Sequence, residues 1–490
     1  MRRSGILLHI TSLPGNGGIG TLGREAYEYV DFLAKAGVKV WQVLPIGPTG
    51  YGESPYQSGS TFAGNPLLID LETLWDQGLM NGKDLFSVEN LDHVEFEQLK
   101  EKKDKALRAC FASSFEKVKI PVKDYLDKTP WLKDYAMYAA LKTKYDLRSW
   151  MTWPEEIRRR DKVAINDCEN SLKDEIDYQC FLQYLFDMQW RALKEYANKK
   201  GVLIMGDIPI YVAEDSADTW AHPENFQFDK QLHPVRVAGV PPDYFCEDGQ
   251  LWGNPLYNWK YLKRHKFAWW MDRFRGAAER YDILRIDHFI GFANFWSVPA
   301  GAPNARNGEW VKAPGKKLFR RVAKELPELE IVAEDLGEVN DRVRKLLADC
   351  GFPGMKVLQF AFGSDDSNMH LPQNLSENTA FYTATHDNDT TVGYWARIDE
   401  KEKANTCRIL GDFEDDEACA AYIKAVMESV AKLAVIPMQD LLGLDNHARM
   451  NSPGTLGGNW LWRMTKSDFE EMKEKAGLLR ELLTKAGRIE

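Results

Sequence analysis

The feature that most constrains the fold of this chain is a series of eight short apolar runs, separated by segments with helical periodicity. The runs are rich in Val and Ile and are mostly apolar on both faces, as is typical of buried parallel strands. They predict strands at 5–10, 38–44, 202–205, 283–286, 331–333, 355–360, 380–384 and 433–438. Strands that alternate with helices in this way indicate an α/β protein, and eight of them predict a (β/α)8 TIM barrel.

The segments between the runs carry the expected helical signals. In 181–199, large apolar side chains recur at helical spacing, and Gly201 follows as a stop signal before the third strand. Segment 24–36 has the same pattern and is followed by Gly37. These two segments predict helices that pack against the barrel.

The 490 residues exceed the roughly 250 of a simple barrel. The excess falls mainly between the second, third and fourth predicted strands. We therefore predict a single catalytic barrel over 1–490 with two insertions. The first, at about 46–200, contains charged helical segments. The second, at about 208–281, is rich in Pro, Asp, Trp and Tyr, and we expect it to be loop-rich.

Composition excludes several classes of protein. The formal net charge of −10 argues against a nucleic-acid-binding protein, which usually carries a basic surplus. We find no run of 18 apolar residues that would span a membrane and no export signal near the start of the sequence. The seven Cys residues are scattered without a CxxC pair, so no metal site is expected. We expect a cytoplasmic protein that binds neither nucleic acid nor a membrane.

Acidic residues stand at or just beyond three of the predicted strands. Asp287 follows one strand, Glu334 follows the next, and Asp387 lies just beyond a third. In barrels of this type the chemistry takes place where the strands end. Arg285 lies two residues before Asp287, therefore on the same face of its strand, where it can keep that carboxylate ionised. Such acids suit glycosidic chemistry, which needs one carboxylate and one protonated carboxyl group. The pattern alone leaves their individual roles open.

Longer motifs contain these acids. The segments GDIPIYVAEDSADTW (206–220), LRIDHFIGF (284–292), IVAEDLG (331–337) and THDNDT (385–390) resemble the α-amylase clan of retaining glycosidases. Three further segments lie at 54–71, 239–259 and 442–455. With them, the sequence resembles the 4-α-glucanotransferases, also called amylomaltases or disproportionating enzymes. The resemblance runs from Ile6 to about Met464.

The resemblance implies roles for the acids and their neighbours. Asp287 matches the family's nucleophile, Glu334 its general acid/base, and Asp387 the acid that binds the sugar ring and stabilises the transition state. Arg285 and His386 match the residues that support them, and Asp207 matches the aspartate that completes the subsite. The implied substrates are α-1,4-glucans and maltooligosaccharides, with glucose as an acceptor. This chemistry requires no cofactor and no metal.

Some of the aromatic residues have an implied role in binding sugar. The chain contains 16 Trp, 19 Tyr and 23 Phe, and flat aromatic faces can stack on a pyranose. By resemblance, Tyr56 contacts sugar, and the segment 241–245, with Asp243, Tyr244 and Phe245, forms a loop over the glucan. Trp252 lies in a similar Pro- and Gly-rich segment and is a further candidate. Core packing is the better interpretation for Trp220, Trp269, Trp270 and Trp296.

Three alternatives remain at this point. GNGGIG at 15–20 satisfies the G-x-G-x-x-G pattern of dinucleotide-binding proteins. However, the next predicted strand ends in Leu44-Pro45, where an acid for the ribose is expected. A non-catalytic glucan-binding protein would normally lack one of the three acids, and all three are present. An amylase-type hydrolase shares the first half of the reaction, and only the resemblance favours transfer over hydrolysis.

Overall fold

The computed structural model describes residues 2–50, 52–242, 247–337, 339–455 and 457–489. Twelve strands lie in these ranges. They are β1 (Arg3–Leu7), β2 (Val40–Gln42), β3 (Leu203–Ile208), β4 (Arg236–Val240), β5 (Gln250–Pro255), β6 (Ile283–Ile286), β7 (Asn294–Pro299), β8 (Glu309–Lys312), β9 (Glu330–Ala333), β10 (Gly354–Val357), β11 (Thr379–Tyr382) and β12 (Leu433–Pro437).

Eight of these strands form a closed barrel in the order β1-β12-β11-β10-β9-β6-β3-β2. All of its strand pairs are parallel. The barrel strands are the eight that the apolar runs predict, with ends shifted by a few residues. The predicted (β/α)8 barrel is therefore confirmed. Its strands are short and almost entirely buried, because the helices cover the outside of the sheet.

Eighteen α-helices accompany the strands in the described part of the chain. They are α1 (Arg24–Ala36), α2 (Leu71–Asp76), α3 (Phe96–Lys128), α4 (Leu132–Lys144), α5 (Glu155–Arg158), α6 (Lys162–Ser171), α7 (Lys173–Lys199), α8 (Ala217–Ala221), α9 (Trp259–Arg264), α10 (Ala268–Arg280), α11 (Gly315–Glu325), α12 (Asp341–Cys350), α13 (Thr391–Arg397), α14 (Glu400–Leu410), α15 (Ala418–Glu428), α16 (Met438–Leu442), α17 (Lys466–Glu474) and α18 (Ala476–Lys485). The predicted helix at 24–36 coincides with α1, and the one at 181–199 is the second half of α7.

The chain between β2 and β3 is mainly helical and contains α2 to α7. The 33-residue α3 and the 13-residue α4 both pack against α7. Aromatic contacts join α3 to α7, among them Phe111 with Phe181 and Tyr125 with Tyr184. We propose that these helices form an insertion on the barrel rather than a separate domain, because α7 also packs against β3.

The chain beyond β3 contains a second sheet that the sequence patterns do not predict. β4, β5, β7 and β8 form an antiparallel sheet in the order β5-β4-β7-β8. Two of its strands, β4 and β5, lie in the segment 208–281 that we expected to be loop-rich. These strands contain Gly and Pro and are partly exposed, so they lack the apolar runs that identify the barrel strands.

Candidate active site

The carboxyl ends of β3 and β6 bring three charged side chains together. Asp207 in β3 is in register with Arg285 in β6, so the two residues lie side by side. Asp287 follows two residues after Arg285 and therefore points to the same side of the sheet. The backbone N–H of Asp287 donates to the carbonyl of Ile208 at 3.1 Å, which continues the β3–β6 pairing past the end of β6. Strand register thus places two carboxylates around one guanidinium.

Arg285 bridges both carboxylates with one nitrogen. Its Nη1 donates to Asp207 Oδ2 at 2.5 Å and to Asp287 Oδ1 at 3.0 Å. Only 3% of the Arg285 side chain is exposed, and Asp207 is fully buried. Burial raises the pKa of Asp207 to about 7, against the attraction of Arg285. Burial acts to lower the pKa of Arg285, but the surrounding carboxylates outweigh it and hold that pKa well above its ordinary value.

Glu334 follows β9, the neighbour of β6 on its other side. Ile286 and Ala333 are in register, so the next residues, Asp287 and Glu334, lie on adjacent strands at the same level. The Glu334 carboxylate accepts backbone hydrogen bonds from His288 and Leu336, both at 2.7 Å. Burial, followed by the negative charge of Asp287, raises the pKa of Glu334 to about 8. Glu334 therefore holds its proton at neutral pH.

The two neighbouring carboxyl groups thus have different environments. Glu334 is buried. The Asp287 side chain is 28% exposed, and it contacts Arg285. Carboxyl groups whose environments separate their protonation states are suited to act as an acid and a nucleophile in one reaction. This arrangement can protonate a leaving oxygen from one side of a bond and attack the carbon from the other.

Asp387 lies beyond β11 and is held by residues from two segments. Its Oδ2 is 3.3 Å from Nε2 of His386, a buried side chain whose pKa burial lowers. Its Oδ1 accepts a hydrogen bond from Nδ2 of Asn451 at 2.6 Å, and its backbone carbonyl accepts one from Arg449 at 2.8 Å. The Asp387 side chain is 43% exposed, so these contacts orient a carboxylate that faces solvent.

Tyr56 contacts residues near both Asp287 and Asp387. Its hydroxyl donates to Asp207 Oδ2 at 2.8 Å, and its ring stacks on His386 with the centroids 5.0 Å apart. Trp460 packs against both rings, 5.8 Å from Tyr56 and 5.9 Å from His386. Tyr56 therefore connects the Asp207–Arg285 pair with the His386–Asp387 pair.

Trp252 packs against His288, the residue that follows Asp287. The two rings meet edge to face with a centroid separation of 4.8 Å. His288 has a left-handed backbone conformation, with φ of 46°, and its backbone N–H donates to Glu334. Burial lowers the pKa of the His288 ring to about 4, which leaves the imidazole neutral at pH 7. The structure thus places Trp252 beside the turn that carries the Glu334 hydrogen bond.

The structure brings most of the predicted site residues into one place. Asp207, Arg285, Asp287, Glu334, Tyr56, His386, Asp387 and Trp252 are connected by the contacts above. Asp243, Tyr244 and Phe245 lie outside the described residues, and their role stays a prediction. The sequence analysis missed His288, Asn451 and Trp460. His288 directly follows Asp287, and Asn451 lies in the motif at 442–455, so their positions were a usable signal; Trp460 follows that motif and had none.

Neighbouring polar residues have structural contacts. Asp335 accepts a hydrogen bond from the backbone N–H of Met355 at 2.7 Å and pairs with Lys356 at 3.3 Å. Asp389 contacts the backbone N–H of Thr390 and pairs with Arg397. His9 is buried and lines the same small cavity as His386, and burial lowers the pKa of His9 to about 3. The side chains of Trp220, Trp269 and Trp270 are buried, in agreement with core packing, whereas Trp296 is only partly buried and packs against Trp310 in the second sheet.

Within the described ranges, no group of three or more His, Cys, Asp or Glu side chains is arranged to hold a metal ion. Among the helices given above, none combines the length and the hydropathy needed to cross a membrane.

Comparison with known proteins identifies the family. Residues 8–468 match the family described as 4-alpha-glucanotransferase. The chain is 45% identical to the 4-alpha-glucanotransferase of Clostridium butyricum over 468 residues, which cover 94% of this chain and 96% of that protein. It is 46% identical to the 4-alpha-glucanotransferase of Thermus thermophilus over 488 residues, with 96% of each chain covered.

Solved structures agree with this result. The structure of amylomaltase from Streptococcus agalactiae in complex with acarbose superposes with a TM-score of 0.97 at 39% identity, and 100% of each chain is covered. Amylomaltase from Corynebacterium glutamicum has the same fold, with a TM-score of 0.79 at 18% identity over 100% of this chain and 75% of that one. This chain therefore belongs to the 4-alpha-glucanotransferase family and is an enzyme of the glycosyltransferase type.

Proposed function

We propose that this enzyme transfers α-1,4-glucan segments by a retaining double displacement through a covalent glycosyl-enzyme. The donor is a maltooligosaccharide or glucan, and the acceptor is the 4-hydroxyl of another sugar, glucose included. The observation that carries the mechanism is the position of Asp287 and Glu334 directly after the paired residues Ile286 and Ala333 of adjacent strands, together with the raised pKa of Glu334. No metal or cofactor takes part in these steps.

In the first displacement, a carboxylate oxygen of Asp287 attacks the anomeric carbon of the donor. The bond between that carbon and the glycosidic oxygen breaks, and Glu334 gives its proton to the departing oxygen. The products are a free shortened sugar and a glycosyl ester on Asp287. Arg285 supports this step because its hydrogen bond to Asp287 Oδ1, at 3.0 Å, holds that carboxyl group in position.

In the second displacement, the 4-hydroxyl of an acceptor sugar attacks the same carbon. Glu334, now a carboxylate, takes the hydroxyl proton, and the ester bond to Asp287 breaks. Two inversions at one carbon leave the α configuration unchanged. The two enzyme carboxyl groups return to their starting protonation states, so the cycle is balanced.

The remaining site residues are proposed to bind the sugar. Asp387 is exposed and oriented by His386 and Asn451, and it can accept hydrogen bonds from ring hydroxyls as the transition state forms. Tyr56, held by Asp207, and Trp252, held against His288, present aromatic surfaces near the acids. The S. agalactiae amylomaltase was solved in complex with acarbose, which supports the proposal that this chain binds sugars. For Asp243, Tyr244 and Phe245 the proposal rests on the sequence resemblance alone.

Incubation with maltotriose separates transfer from hydrolysis. Transfer predicts glucose together with a ladder of maltooligosaccharides longer than the substrate, whereas glucose and maltose alone would refute it.

In Asp287→Asn, both activities should disappear while maltotriose still binds. The matched control is Asp335→Asn, a neighbouring acid whose partners are Met355 and Lys356. We expect the control to keep the product ladder, and turnover by Asp287→Asn equal to the wild type would overturn the assignment of the nucleophile.

A further inference from the structure

A cationic groove lies between α9 and the start of α11. It is a shallow depression of about 540 Å³ lined by Trp259, Lys260, Lys263, Arg264, Lys312, Ala313 and Pro314. All four of its charged lining residues are positive, and all four are exposed. The whole chain carries a net charge of −10, so this cluster opposes the average charge of the molecule.

These cations have no acidic partners in the structure. Among the described residues, none of the four lining cations forms an ion pair, and neither do the adjacent Lys317 and Arg320. By contrast, their neighbours Lys316 and Arg321 pair with Asp349 and Glu325. Lys263 and then Arg320 lower the pKa of Lys317, so the ammonium groups lie close enough to repel one another. A group of unneutralised cations around one groove creates a positive potential that favours an anion.

The start of α11 adds to this potential. The helix has 11 residues, Pro314 at its N-cap offers no side-chain hydrogen bond, and its first turn contains no acidic residue. Pro314 itself lines the groove, so the positive end of the helix dipole adjoins the lysines. Phosphate groups bind well where such a helix end meets Lys or Arg side chains.

We propose that this groove binds the phosphate group of a phosphorylated sugar. The four lining cations supply charge-assisted hydrogen bonds to the phosphate oxygens, and the half-buried ring of Trp259 with Pro314 offers apolar surface for the pyranose. The groove adjoins the segment that follows Asp287. The N–H of Ala313, at the edge of the groove, donates to the carbonyl of Ala293 in that segment. Binding at the groove does not depend on the transfer mechanism.

Calorimetric titration of the full chain tests this proposal. The probes are glucose 1-phosphate, inorganic phosphate and maltose, each at low and high NaCl concentration. We expect glucose 1-phosphate to bind more tightly than inorganic phosphate, with an affinity that falls as salt increases. In Lys263→Glu/Lys312→Glu the affinity for glucose 1-phosphate should fall by at least about tenfold, while maltose binding should stay unchanged.

Two further variants keep the test decisive. Lys401→Glu/Lys424→Glu makes the same change in net charge at exposed lysines without ion pairs in the described structure, and it should bind glucose 1-phosphate as the wild type does. Lys260→Gln/Lys263→Gln removes two charges without adding acids and should also weaken binding. Equal losses in the control and groove variants, or unchanged binding in all of them, would overturn the site. Equal affinity for inorganic phosphate and glucose 1-phosphate would overturn its preference for a sugar.

Discussion

At the residue scale, the proposed mechanism depends on the different environments of two carboxyl groups that follow neighbouring strands. Glu334 is buried and receives two backbone N–H groups, whereas Asp287 is partly exposed beside Arg285. Burial of Glu334 disfavours its charged form, and the negative charge of Asp287 adds to that effect. The proton on Glu334 is therefore a consequence of position and not of residue type.

The raised pKa of Glu334 predicts an alkaline limb in the activity profile. Because Glu334 must be protonated to release the donor's oxygen, kcat/KM for maltotriose should fall as the pH rises through about 8. In Glu334→Gln the rate with maltotriose should fall by about 10²–10⁴-fold. An α-maltosyl fluoride donor releases fluoride without a proton, so the variant's first-turnover burst of fluoride should be close to that of the wild type and independent of pH near 8. A pH-dependent burst in this variant would contradict the role of Glu334.

Asn451 is predicted to act through Asp387 as a positioning residue. Its Nδ2 donates to Asp387 Oδ1 at 2.6 Å, and a hydrogen bond to a charged group contributes about 1.5–3 kcal/mol. We expect Asn451→Ala to lower kcat for maltotriose by at least about tenfold, with only a small drop in melting temperature. Asn378→Ala is the control, since it removes a hydrogen bond to Gly351 next to the opposite end of β11. Equal kcat values for both variants would show that Asp387 needs no support from Asn451.

Position in the chain is enough to predict that the acids lie together, but it does not identify all of the side chains that contact them. Asp287 and Glu334 each follow a predicted strand, and a parallel barrel brings all strand ends to one face. Asn451 and Trp460 contact Asp387 and Tyr56 across more than 60 residues of sequence, and neither is marked by periodicity. Contacts of this kind depend on loop geometry, which sequence spacing does not define.

At the element scale, Arg273 of α10 forms hydrogen bonds with the residues that follow β3. The guanidinium is buried and donates to the carbonyls of Pro209 at 2.6 Å and Ile210 at 3.2 Å. It also contacts the hydroxyl of Tyr257 and lies 4.4 Å from the ring centroid of Trp270. No carboxylate of the described chain forms an ion pair with Arg273, so backbone carbonyls and aromatic faces replace the water that its charge loses on burial.

Replacing Arg273 should destabilise the end of β3 next to Asp207. Arg273→Met removes the donor to the Pro209 carbonyl, whereas the Ile210 carbonyl keeps the hydroxyl of Tyr257 at 2.6 Å. An unpaired buried polar group costs about 1–3 kcal/mol. We expect a clear drop in the urea midpoint for Arg273→Met and a smaller one for Arg273→Lys. Arg275→Met on the same helix removes only exposed ion pairs with Asp272 and Glu325, worth about 0–1 kcal/mol. If the two Met variants unfold at the same urea concentration, the hydrogen bonds of Arg273 contribute no stability.

The elements differ in how well sequence predicts them. All eight barrel strands show as apolar runs because the helices outside and the packed interior bury both faces. β8, with the sequence EWVK, is mostly exposed and has neither an apolar run nor a clean alternation. It forms only because β7 lies beside it, with Trp296 opposite Trp310 in the register. Strands stabilised by such a partner are not visible to local pattern analysis.

At the scale of the whole molecule, the barrel closes between the first and last strands. β1 pairs with β12 over five residues, from Arg3 with Leu433 to Leu7 with Pro437. α18 packs against α1 and α15, so the C-terminal helix covers this seam from outside. The alternation of strands and helices predicts such a closure, but it does not show which side chains hold the seam.

Arg488 holds this seam, and its loss should destabilise the whole barrel. Its side chain is 1% exposed and donates to the backbone carbonyls of Arg3, Val426, Met427, Ser429 and Ala431. These carbonyls belong to β1 and to the end of α15 with the turn before β12. Arg488→Met removes the described donor to the carbonyls of Met427 and Ala431, whereas those of Val426 and Ser429 keep Ser429 Oγ and Arg2 as donors. We therefore expect the free energy of unfolding to fall by at least about 2 kcal/mol.

The urea midpoint and residual transfer activity measure this effect. Arg480→Met is the matched control, because Arg480 is an exposed arginine of α18 that donates to a single carbonyl, that of Lys35. We expect the control to unfold at nearly the wild-type urea concentration. Below its midpoint, Arg488→Met should keep the wild-type product ladder, because the seam residues do not touch the acids. A wild-type midpoint for Arg488→Met would mean that the strand pairs alone close the barrel.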